Sequence, residues 1–325
     1  MRKIKWAVMG TAGIAKSQTI PGMKLAENCE LYAVAGRTLE KAEQFRAEFG
    51  FEKAYGSYEE LLADPQVEAI YIPLPNDLHA EWSIRALKAK KHVLCEKPIA
   101  GTAAQAAEMI KAAEENGVVL MEAFAYLHSP FINAVKKELD EKTIGDIRYI
   151  ESAFITCAHD CANIRMRKEN YGGALYDLGC YNTSLVLWLL GEEPTEVQAT
   201  ALYTEQGIDA CSTALMSFED GKHAVLEAAM VLPKSSGLRI DRFQIHGTKG
   251  CIKSETQFNQ AGEVSYTVCV DGKTEVKTLT APQNYKLEVE QLGRCITDGE
   301  KPHVSHEFTM LNARVMDRIL EKMGY

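Results

Sequence analysis

The sequence has none of the features that mark membrane-spanning, secreted or nucleic-acid-binding proteins. No apolar run in its 325 residues reaches the roughly 18 to 20 residues that a membrane-spanning helix needs. The opening segment, MRKIKWAVMG, has too short an apolar stretch for a signal peptide. A net charge of -9 provides no basic face for a nucleic acid. We therefore expect a cytoplasmic protein that binds neither membranes nor nucleic acids.

Two further absences concern cysteine pairing and internal repetition. The 9 cysteines are an odd number, and they are scattered along the chain rather than framed as a small disulfide scaffold. The chain also has no repeats and no low-complexity linker. Its length exceeds what one compact core usually holds, so we expect two domains.

Strand and helix patterns alternate through the first 125 residues. Apolar runs typical of strands occupy residues 4–9, 31–35, 69–74, 92–94 and 118–121. Helical patterns lie between them at about 14–26, 39–49, 78–90 and 103–116. Alternation of this kind predicts an α/β domain over residues 1–125, with a parallel sheet wound on both faces.

The pattern changes after residue 126, where strand-like segments follow one another. They occupy residues 147–156, 196–203, 212–218, 224–230, 242–246 and 264–270, and several alternate apolar and polar side chains. One helix interrupts them at about 174–190, and two more follow at 284–297 and 306–323. We expect an α+β domain over 126–325 with an open, mostly antiparallel sheet. The last helix is a candidate for packing back onto the first domain.

A lysine followed by proline stands at the end of a strand pattern, in the segment HVLCEKP that ends at Pro98. A side chain at the carboxyl end of a sheet strand points into the crevice where α/β folds bind their ligands. Pro98 biases Lys97 away from helical geometry. Taken alone, this pattern favours a solvated lysine at a strand end, but the order of the surrounding elements reverses the preference and favours an active-site lysine.

A turn of small residues follows the first strand pattern and opens a helix. Such a turn lets backbone N–H groups and the helix N-terminus meet a pyrophosphate, which predicts a dinucleotide site. The fit to G-x-G-x-x-G is imperfect, because alanines occupy the second and third glycine positions. The residues of this turn are Gly10, Thr11, Ala12, Gly13, Ile14 and Ala15.

The end of the second strand pattern bears on which dinucleotide is bound. An acidic residue at this place binds the ribose 2′-hydroxyl of NAD, whereas an arginine suits the 2′-phosphate of NADP. Arg37 stands there with Thr38 beside it, and the first acidic residue is Glu40. We expect NADP to be preferred, with NAD as the alternative cofactor.

These segments together resemble the Gfo/Idh/MocA family of glucose–fructose oxidoreductases, inositol dehydrogenases and rhizopine-catabolism proteins. The shared motifs are the glycine-rich turn, Pro75-Asn76 with His79, Glu96-Lys97-Pro98, and the segment GGALYDLG at 172–179. The resemblance implies a Rossmann domain, an open-sheet domain, and hydride transfer between NADP(H) and the CH–OH or C=O group of a small sugar, polyol or cyclic diol. It also implies a homodimer or homotetramer formed through the C-terminal sheet.

Asp177 and Tyr181 lie one helical turn apart, so they share one face of the predicted helix. A tyrosine at this place resembles the dimeric dihydrodiol dehydrogenase and D-xylose dehydrogenase branch, whereas other branches have a histidine. Either Tyr181 or Lys97 then transfers the proton, with Asp177 holding the lysine or a substrate hydroxyl. The structural alternative makes Asp177 a helix cap and Tyr181 part of the core.

The remaining expected site residues divide between the cofactor and the substrate. By resemblance, the cofactor is bound by Pro75, Asn76, His79, Glu96 and Lys97 in addition to the turn. The substrate is expected to contact Tyr126, His159, Arg165, Asp177 and Tyr181. Cys157, His159 and Cys161 alternate at a strand end, but their spacing matches no zinc pattern, so we expect no metal.

Two functions of other classes also fit the dinucleotide fold. One is a catalytically silent NADP sensor, since fold alone does not establish catalysis. The presence of Lys97, Asp177 and Tyr181 together argues against this, because a sensor needs no proton donor. The other is an NAD-dependent glycosidase that oxidises its substrate transiently. The sequence does not name the substrate, its stereochemistry or the physiological direction.

Overall fold

The computed structural model describes residues 2–325 in two compact units. Unit 1 contains the residues up to His128 together with Pro282–Met310, and unit 2 contains Ser129–Ala281 and Leu311–Tyr325. Within residues 2–325, no helix is both long enough and apolar enough to cross a membrane.

Unit 1 contains a six-stranded parallel sheet with the order β3-β2-β1-β4-β5-β6. The strands are β1 Ile4–Met9, β2 Cys29–Ala35, β3 Lys53–Tyr55, β4 Ala69–Ile72, β5 His92–Glu96 and β6 Leu120–Ala123. β1, β4 and β5 are almost entirely buried, as expected for parallel strands covered on both faces. The strand order reverses between β1 and β4, which is where folds of this type bind ligands.

The helices of unit 1 begin and end at residues suited to those positions. They are α1 Ile20–Leu25, α2 Leu39–Phe49, α3 Tyr58–Ala63, α4 Asn76–Lys88 and α5 Ala103–Asn116. Thr38 and Thr102 cap α2 and α5 through their hydroxyls, and left-handed Gly50 and Gly117 end the same helices. A π-helical turn, Ala15–Thr19, leads directly into α1.

Unit 2 is built around an eight-stranded sheet with the order β14-β13-β12-β11-β7-β10-β9-β8. All neighbouring strands are antiparallel except β7 and β10. The strands are β7 Ile147–Cys157, β8 Glu196–Tyr203, β9 Asp209–Ser217, β10 His223–Leu232, β11 Ile240–Gly247, β12 Gly250–Ser254, β13 Gly262–Val270 and β14 Lys273–Ala281. The expected open, mostly antiparallel sheet is therefore confirmed.

The remaining helices are α6 Pro130–Asp140, α7 Cys180–Leu190, α8 Asn284–Asp298 and α9 His306–Met323. α6 and α7 lie in unit 2, α8 lies in unit 1, and α9 begins in unit 1 and continues in unit 2. A second π-helical turn, Leu175–Gly179, leads into α7. Short 3-10 turns occupy Ala125–His128, Ile164–Met166, Lys168–Asn170, Glu219–Gly221 and Lys234–Ser236.

The division into units differs from the expected 1–125 and 126–325 mainly at α8. Gly22 of α1 lies so close to this helix that a Cβ there would stand 2.8 Å from the Lys286 backbone nitrogen. Asn28 also donates a hydrogen bond of 2.8 Å to the Glu290 carbonyl. A late segment of the chain thus completes unit 1, which the change of pattern near residue 126 did not indicate.

Five elements of the structure were absent from the sequence expectation. They are β3, α3, α6, β12 and β14. β3 has 3 residues, and α3 has 6, so neither is long enough to show a clear periodicity. β14 lies at the sheet edge, where most of its side chains are exposed and the apolar signal is weak.

Candidate active site

The backbone around Lys97 is held in place at the end of β5. The Lys97 amide donates to Glu96 Oε2 at 3.3 Å. The next carbonyl, that of Pro98, lies 2.8 Å from Nδ1 of His79. The Lys97–Pro98 bond is cis. Lys97 itself is half-buried, at the end of this fixed backbone.

A buried carboxyl secures the other side of this loop. Glu122, on β6, accepts a hydrogen bond from the Ile99 amide at 2.8 Å. Burial raises the pKa of Glu122 to about 8, although the charge of Lys97 opposes the rise. Three successive backbone groups are therefore fixed by side chains from β5, α4 and β6.

Glu96 is the end of a buried hydrogen-bond chain. Thr19 donates its hydroxyl to Tyr71 at 2.8 Å, and Tyr71 donates to Glu96 Oε1 at 2.5 Å. Glu288, on α8, is completely buried, and neither of its carboxyl oxygens has a hydrogen-bond partner among the described residues. Burial, with the charge of Glu96 adding to it, holds the pKa of Glu288 well above its ordinary value. Of the buried carboxyls Glu96 and Glu288, the first thus receives a hydrogen bond from Tyr71, and the second receives none from the described residues.

The glycine-rich turn has the open backbone that a pyrophosphate requires. Gly10 has φ +122°, and a Cβ there would lie 3.0 Å from Leu74 Cδ2. A Cβ on Gly13 would meet nothing within 4 Å, and this residue is exposed. No side chain caps the π-helical turn that begins at Ala15. Helical backbone begins ahead of this turn, at Gly13, and the N–H groups at that N-terminus, with the positive end of the helix dipole, suit an anionic ligand.

Arg37 and Thr38 follow β2 after a single residue, Gly36, and are both exposed. The Thr38 hydroxyl accepts a hydrogen bond of 3.4 Å from the Lys41 amide and so caps α2. Burial raises the pKa of the Tyr58 hydroxyl, and the charge of Arg37 opposes that rise. An exposed guanidinium at this strand end fits a 2′-phosphate.

The other residues expected around the cofactor and substrate in unit 1 differ in accessibility. Pro75 and Asn76 are half-buried where α4 begins. His79 is completely buried, and Nε2 lies 2.8 Å from the Leu74 carbonyl, so we expect its effect on the cofactor to be indirect. Tyr126 is 4% exposed and packs edge-on against Phe124, with ring centroids 6.1 Å apart.

The segment GGALYDLG forms the start of the α7 helix in unit 2. Gly173 has φ +113° and donates to the Arg165 carbonyl at 2.8 Å. The Arg165 side chain then pairs with Asp177, with 2.7 Å between Nε and Oδ2. The helix start thus brings Arg165 and Asp177 together. Gly172 is closely packed, because a Cβ there would lie 2.4 Å from the Arg165 carbonyl oxygen.

Tyr181 lies on the first turn of α7 among aromatic rings. Its ring centroid is 5.4 Å from that of Phe154 and 5.1 Å from that of Phe258. Asn259 Nδ2 lies 3.5 Å from the Tyr181 hydroxyl, and Tyr181 is 9% exposed. The ring is therefore fixed by packing, while the hydroxyl lies beside a polar side chain.

His159 lies near the Arg165–Asp177 pair at the end of β7. Burial lowers the pKa of His159, and the charge of Arg165 lowers it further. Cys157 contacts Ser236 at 3.5 Å, whereas Cys161 lies 3.9 Å from Gln206. Among residues 2–325, no group of three or more His, Cys, Asp or Glu side chains is arranged to hold a metal ion.

Several residues that shape these two half-sites were not singled out from the sequence. They are Thr19, Tyr71, Asp209, Glu288 and Tyr325. Tyr71 and Glu288 lie within ordinary strand and helix patterns, where neither differs from a core or amphipathic residue. Their position next to Glu96 appears only once the chain has folded.

Comparison with known proteins agrees with this architecture over both units. Residues 4–124 match the model described as "Oxidoreductase family, NAD-binding Rossmann fold". Residues 132–253 match that of the "GFO/IDH/MocA C-terminal domain". The chain belongs to the Gfo/Idh/MocA family. The resemblance inferred from the motifs is thereby confirmed.

Three similar proteins span nearly the full length of the chain. A D-xylose 1-dehydrogenase (NADP(+)) of Haloferax volcanii is 34% identical, over 97% of this chain and 96% of its own. A trans-1,2-dihydrobenzene-1,2-diol dehydrogenase of Xenopus laevis is 33% identical, over 98% of both chains. The crystal structure of a 3-ketoreductase from Actinomadura kijaniata, with NADP and TDP-benzene, has a TM-score of 0.92 and 28% identity, covering 99% of this chain and 98% of that one.

Proposed function

We propose that this protein transfers a hydride between NADP(H) and the CH–OH or C=O group of a small sugar, polyol or cyclic diol. The observation that carries the proposal is the anchored Lys97 loop, which presents an amine from a backbone held by Glu96, His79 and Glu122. The names of the relatives, which include a xylose dehydrogenase and a dihydrodiol dehydrogenase, support the substrate class.

NADP supplies or accepts the hydride when it is bound, and the chain must then manage the hydroxyl proton. Lys97 Nζ is suited to holding that proton and to stabilising negative charge on the reacting oxygen. The raised pKa of Glu122 keeps its carboxyl largely protonated at neutral pH. This carboxyl therefore adds no negative charge that would hold the nearby Lys97 amine in its charged form. We therefore assign Lys97 to proton transfer.

Tyr181 is the competing proton carrier. A phenol has an ordinary pKa near 10 and needs a nearby cation to act at neutral pH. Asp177, held by Arg165, would orient a substrate hydroxyl without transferring protons. In the similar ketoreductase, structures exist of variants that replace one lysine and one tyrosine, the same two residue types.

The preference for NADP is assigned to Arg37. Its guanidinium can form charge-assisted hydrogen bonds to a 2′-phosphate that NAD lacks. We expect Arg37→Ala to weaken NADP binding by at least about tenfold and to leave NAD binding nearly unchanged. Lys41→Ala, at an exposed lysine one turn along, is the matched control. Clearly tighter binding of NAD than NADP by the unaltered protein would contradict the assignment.

The activity itself is tested by a substrate screen. Aldoses, polyols and diols are offered with NADP⁺, and the corresponding carbonyl compounds with NADPH, while the absorbance of the reduced nicotinamide is followed. We expect turnover with at least one member of these classes. Tight NADP binding without any turnover would support the sensor alternative. Release of free aglycone from a glycoside, without net NADPH formation, would support the glycosidase alternative.

We also propose that copies of the chain associate through the outer face of the unit 2 sheet. Strand pairing aligns a row of small and apolar residues across five strands of that face. From β8 to β11, the row consists of Leu202, Cys211, Ala229, Ile155 and Ile240. Leu202 is 71% exposed, and nearby Val231 is 52% exposed. Light scattering should show a dimer or tetramer, and Leu202→Asp should shift it toward monomer.

A further inference from the structure

Tyr325 and Asp209 are joined by two hydrogen bonds in unit 2. The Tyr325 hydroxyl donates to Asp209 Oδ1 at 2.6 Å, and the Asp209 amide donates to the same hydroxyl at 2.9 Å. Asp209 is completely buried at the start of β9. The Tyr325 ring also lies against Tyr203 and Tyr176, with ring centroids 5.8 Å and 6.5 Å apart. We call Asp209 and Tyr325 the latch.

The other oxygen of Asp209 holds the start of the helix that bears Asp177 and Tyr181. Oδ2 accepts a hydrogen bond from the Leu175 amide at 2.7 Å, at the beginning of the π-helical turn. A carboxylate at a helix N-terminus satisfies an otherwise free N–H and interacts favourably with the helix dipole. Gly173 fits against the latch, since a Cβ there would lie 1.9 Å from Asp209 Oδ1.

The same turn links the latch to Asp177. The Asp177 amide donates to the Gly173 carbonyl at 3.1 Å, and Gly173 in turn donates to the Arg165 carbonyl. Displacing Asp209 would therefore move both the turn and the backbone of the arginine that pairs with Asp177. A displacement of about 1 Å at a reacting group can reduce a rate by about a hundredfold.

We propose that Asp209 and Tyr325 are positioning residues for the reaction, because together they hold the helical turn that places Asp177 and Tyr181. The proposal rests on the proposed function, since it assigns these two residues to the reaction. The latch lies in unit 2, whereas the expected cofactor-binding segments belong to unit 1, so its loss should change turnover and leave NADP affinity unaltered.

The hydrogen bonds from Tyr325 and Leu175 to Asp209 depend on the charge of its carboxyl group. Burial raises the pKa of Asp209, and the hydrogen bonds from Tyr325 and Leu175 oppose that rise. The other titratable groups that act on this region are Tyr325, Tyr203, Tyr176 and Cys211, and the pKa of each is raised above its ordinary value. Lys168 lies 5.4 Å from the Tyr325 ring centroid. Asp317 also acts on Tyr176, and Glu227 acts on Cys211, but Asp209 is the carboxyl that bonds directly to the Leu175 amide.

The test compares Tyr325→Phe with Tyr203→Phe in the full chain. Each variant removes one hydroxyl and keeps its ring, but the Tyr203 hydroxyl donates to the Met323 carbonyl and not to Asp209. For Tyr325→Phe we expect kcat to fall about tenfold, with NADP affinity within about twofold. The acid limb of the pH–rate profile of this variant should move to higher pH, because losing the Tyr325 hydroxyl as a donor raises the pKa of Asp209 further. Tyr203→Phe should retain the unaltered kcat and profile.

Hydrogen–deuterium exchange of the peptide covering residues 173–180 gives a readout that needs no substrate. We expect faster exchange in Tyr325→Phe and unchanged exchange in Tyr203→Phe. If Tyr325→Phe does not fold, Asp209→Asn takes its place in the test. Asparagine cannot ionise, so the acid limb of the pH–rate profile should be absent from this variant. The proposal is overturned if kcat and the acid limb of Tyr325→Phe are unaltered, or if both tyrosine variants lose turnover equally. An inactive unaltered protein would instead refute the proposed function, and exchange would still decide whether the latch holds the turn.

Discussion

Each half-site contains a π-helical turn that a glycine precedes, but the two turns differ in how tightly that glycine is packed and in whether a side chain accepts their first N–H. In unit 1 the turn from Ala15 to Thr19 follows an exposed Gly13 and has no side-chain cap. In unit 2 the turn from Leu175 to Gly179 follows a crowded Gly173, and the Asp209 carboxylate accepts its first N–H. π-helical turns are rare and occur frequently at functional sites.

The difference shows how one local structure serves two purposes. An uncapped N-terminus keeps its N–H groups and its dipole for an incoming anion, as expected for a pyrophosphate. In unit 2 the Asp209 carboxylate already accepts the Leu175 N–H, so what that turn contributes is the fixed position of its side chains. We therefore expect the first turn to bind and the second to place Asp177 and Tyr181.

The largest effect is expected at Lys97, which tests whether unit 1 contributes chemistry as well as binding. Lys97→Met should lower kcat by at least about a hundredfold, because the amine that holds the proton is lost. NADP affinity should stay nearly unchanged, as measured by quenching of protein fluorescence. Lys111→Met, at an exposed lysine of α5 in the same unit, is the control. Near-normal turnover in Lys97→Met would remove this residue from the mechanism.

The contrast between the two glycines is tested by the same substitution at each. Gly173→Ala should destabilise the fold by about 3 kcal/mol, because it combines backbone strain with a clash in a packed site. Gly13→Ala should change stability by less than about 1 kcal/mol, since a Cβ there meets no atom within 4 Å. Urea unfolding of both variants measures the difference. Equal losses of stability in the two variants would mean that the two turns do not differ in packing.

The role of unit 2 in proton transfer is tested at Tyr181. If Tyr181 carries the proton, Tyr181→Phe should lower kcat by at least about tenfold and shift or abolish the basic limb of the pH–rate profile. If Tyr181 only binds substrate, KM should rise and the profile should keep its shape. Tyr149→Phe, on β7 of the same unit, controls for loss of a tyrosine hydroxyl. An unchanged profile in Tyr181→Phe assigns proton transfer to Lys97 alone.

The smallest expected effect concerns the buried carboxyl of Glu288, and it is one of stability. Because the pKa of Glu288 is raised in the folded protein, its contribution to stability is greatest below the unfolded value and is lost as pH rises. Glu288→Gln should therefore match the unaltered protein at pH near 4 and exceed it by about 1 to 3 kcal/mol at pH 8. Thermal unfolding at both pH values measures this. Equal stability at both values would contradict a protonated Glu288.

Much of the fold could be predicted because its signals are local. β1, α2 and α5 appear in the sequence as apolar runs, capping threonines and terminal glycines, and each forms where expected. Lys97 was also recognisable, since a strand end followed by proline is a local pattern. β14 and α3 were missed because an exposed edge strand and a six-residue helix leave little periodicity to detect.

The sequence by itself determined the order of strands and helices, the family, and the residue types at the centres of both half-sites. It could do so because backbone propensity and side-chain periodicity depend on near neighbours in the chain. Only the tertiary structure decided that α8 completes unit 1, that Glu288 lies next to Glu96, and that Tyr325 holds Asp209 against Leu175. Those contacts join residues more than a hundred positions apart, or join a helix to a distant strand. Burial and hydrogen bonding establish them only after the chain has closed on itself.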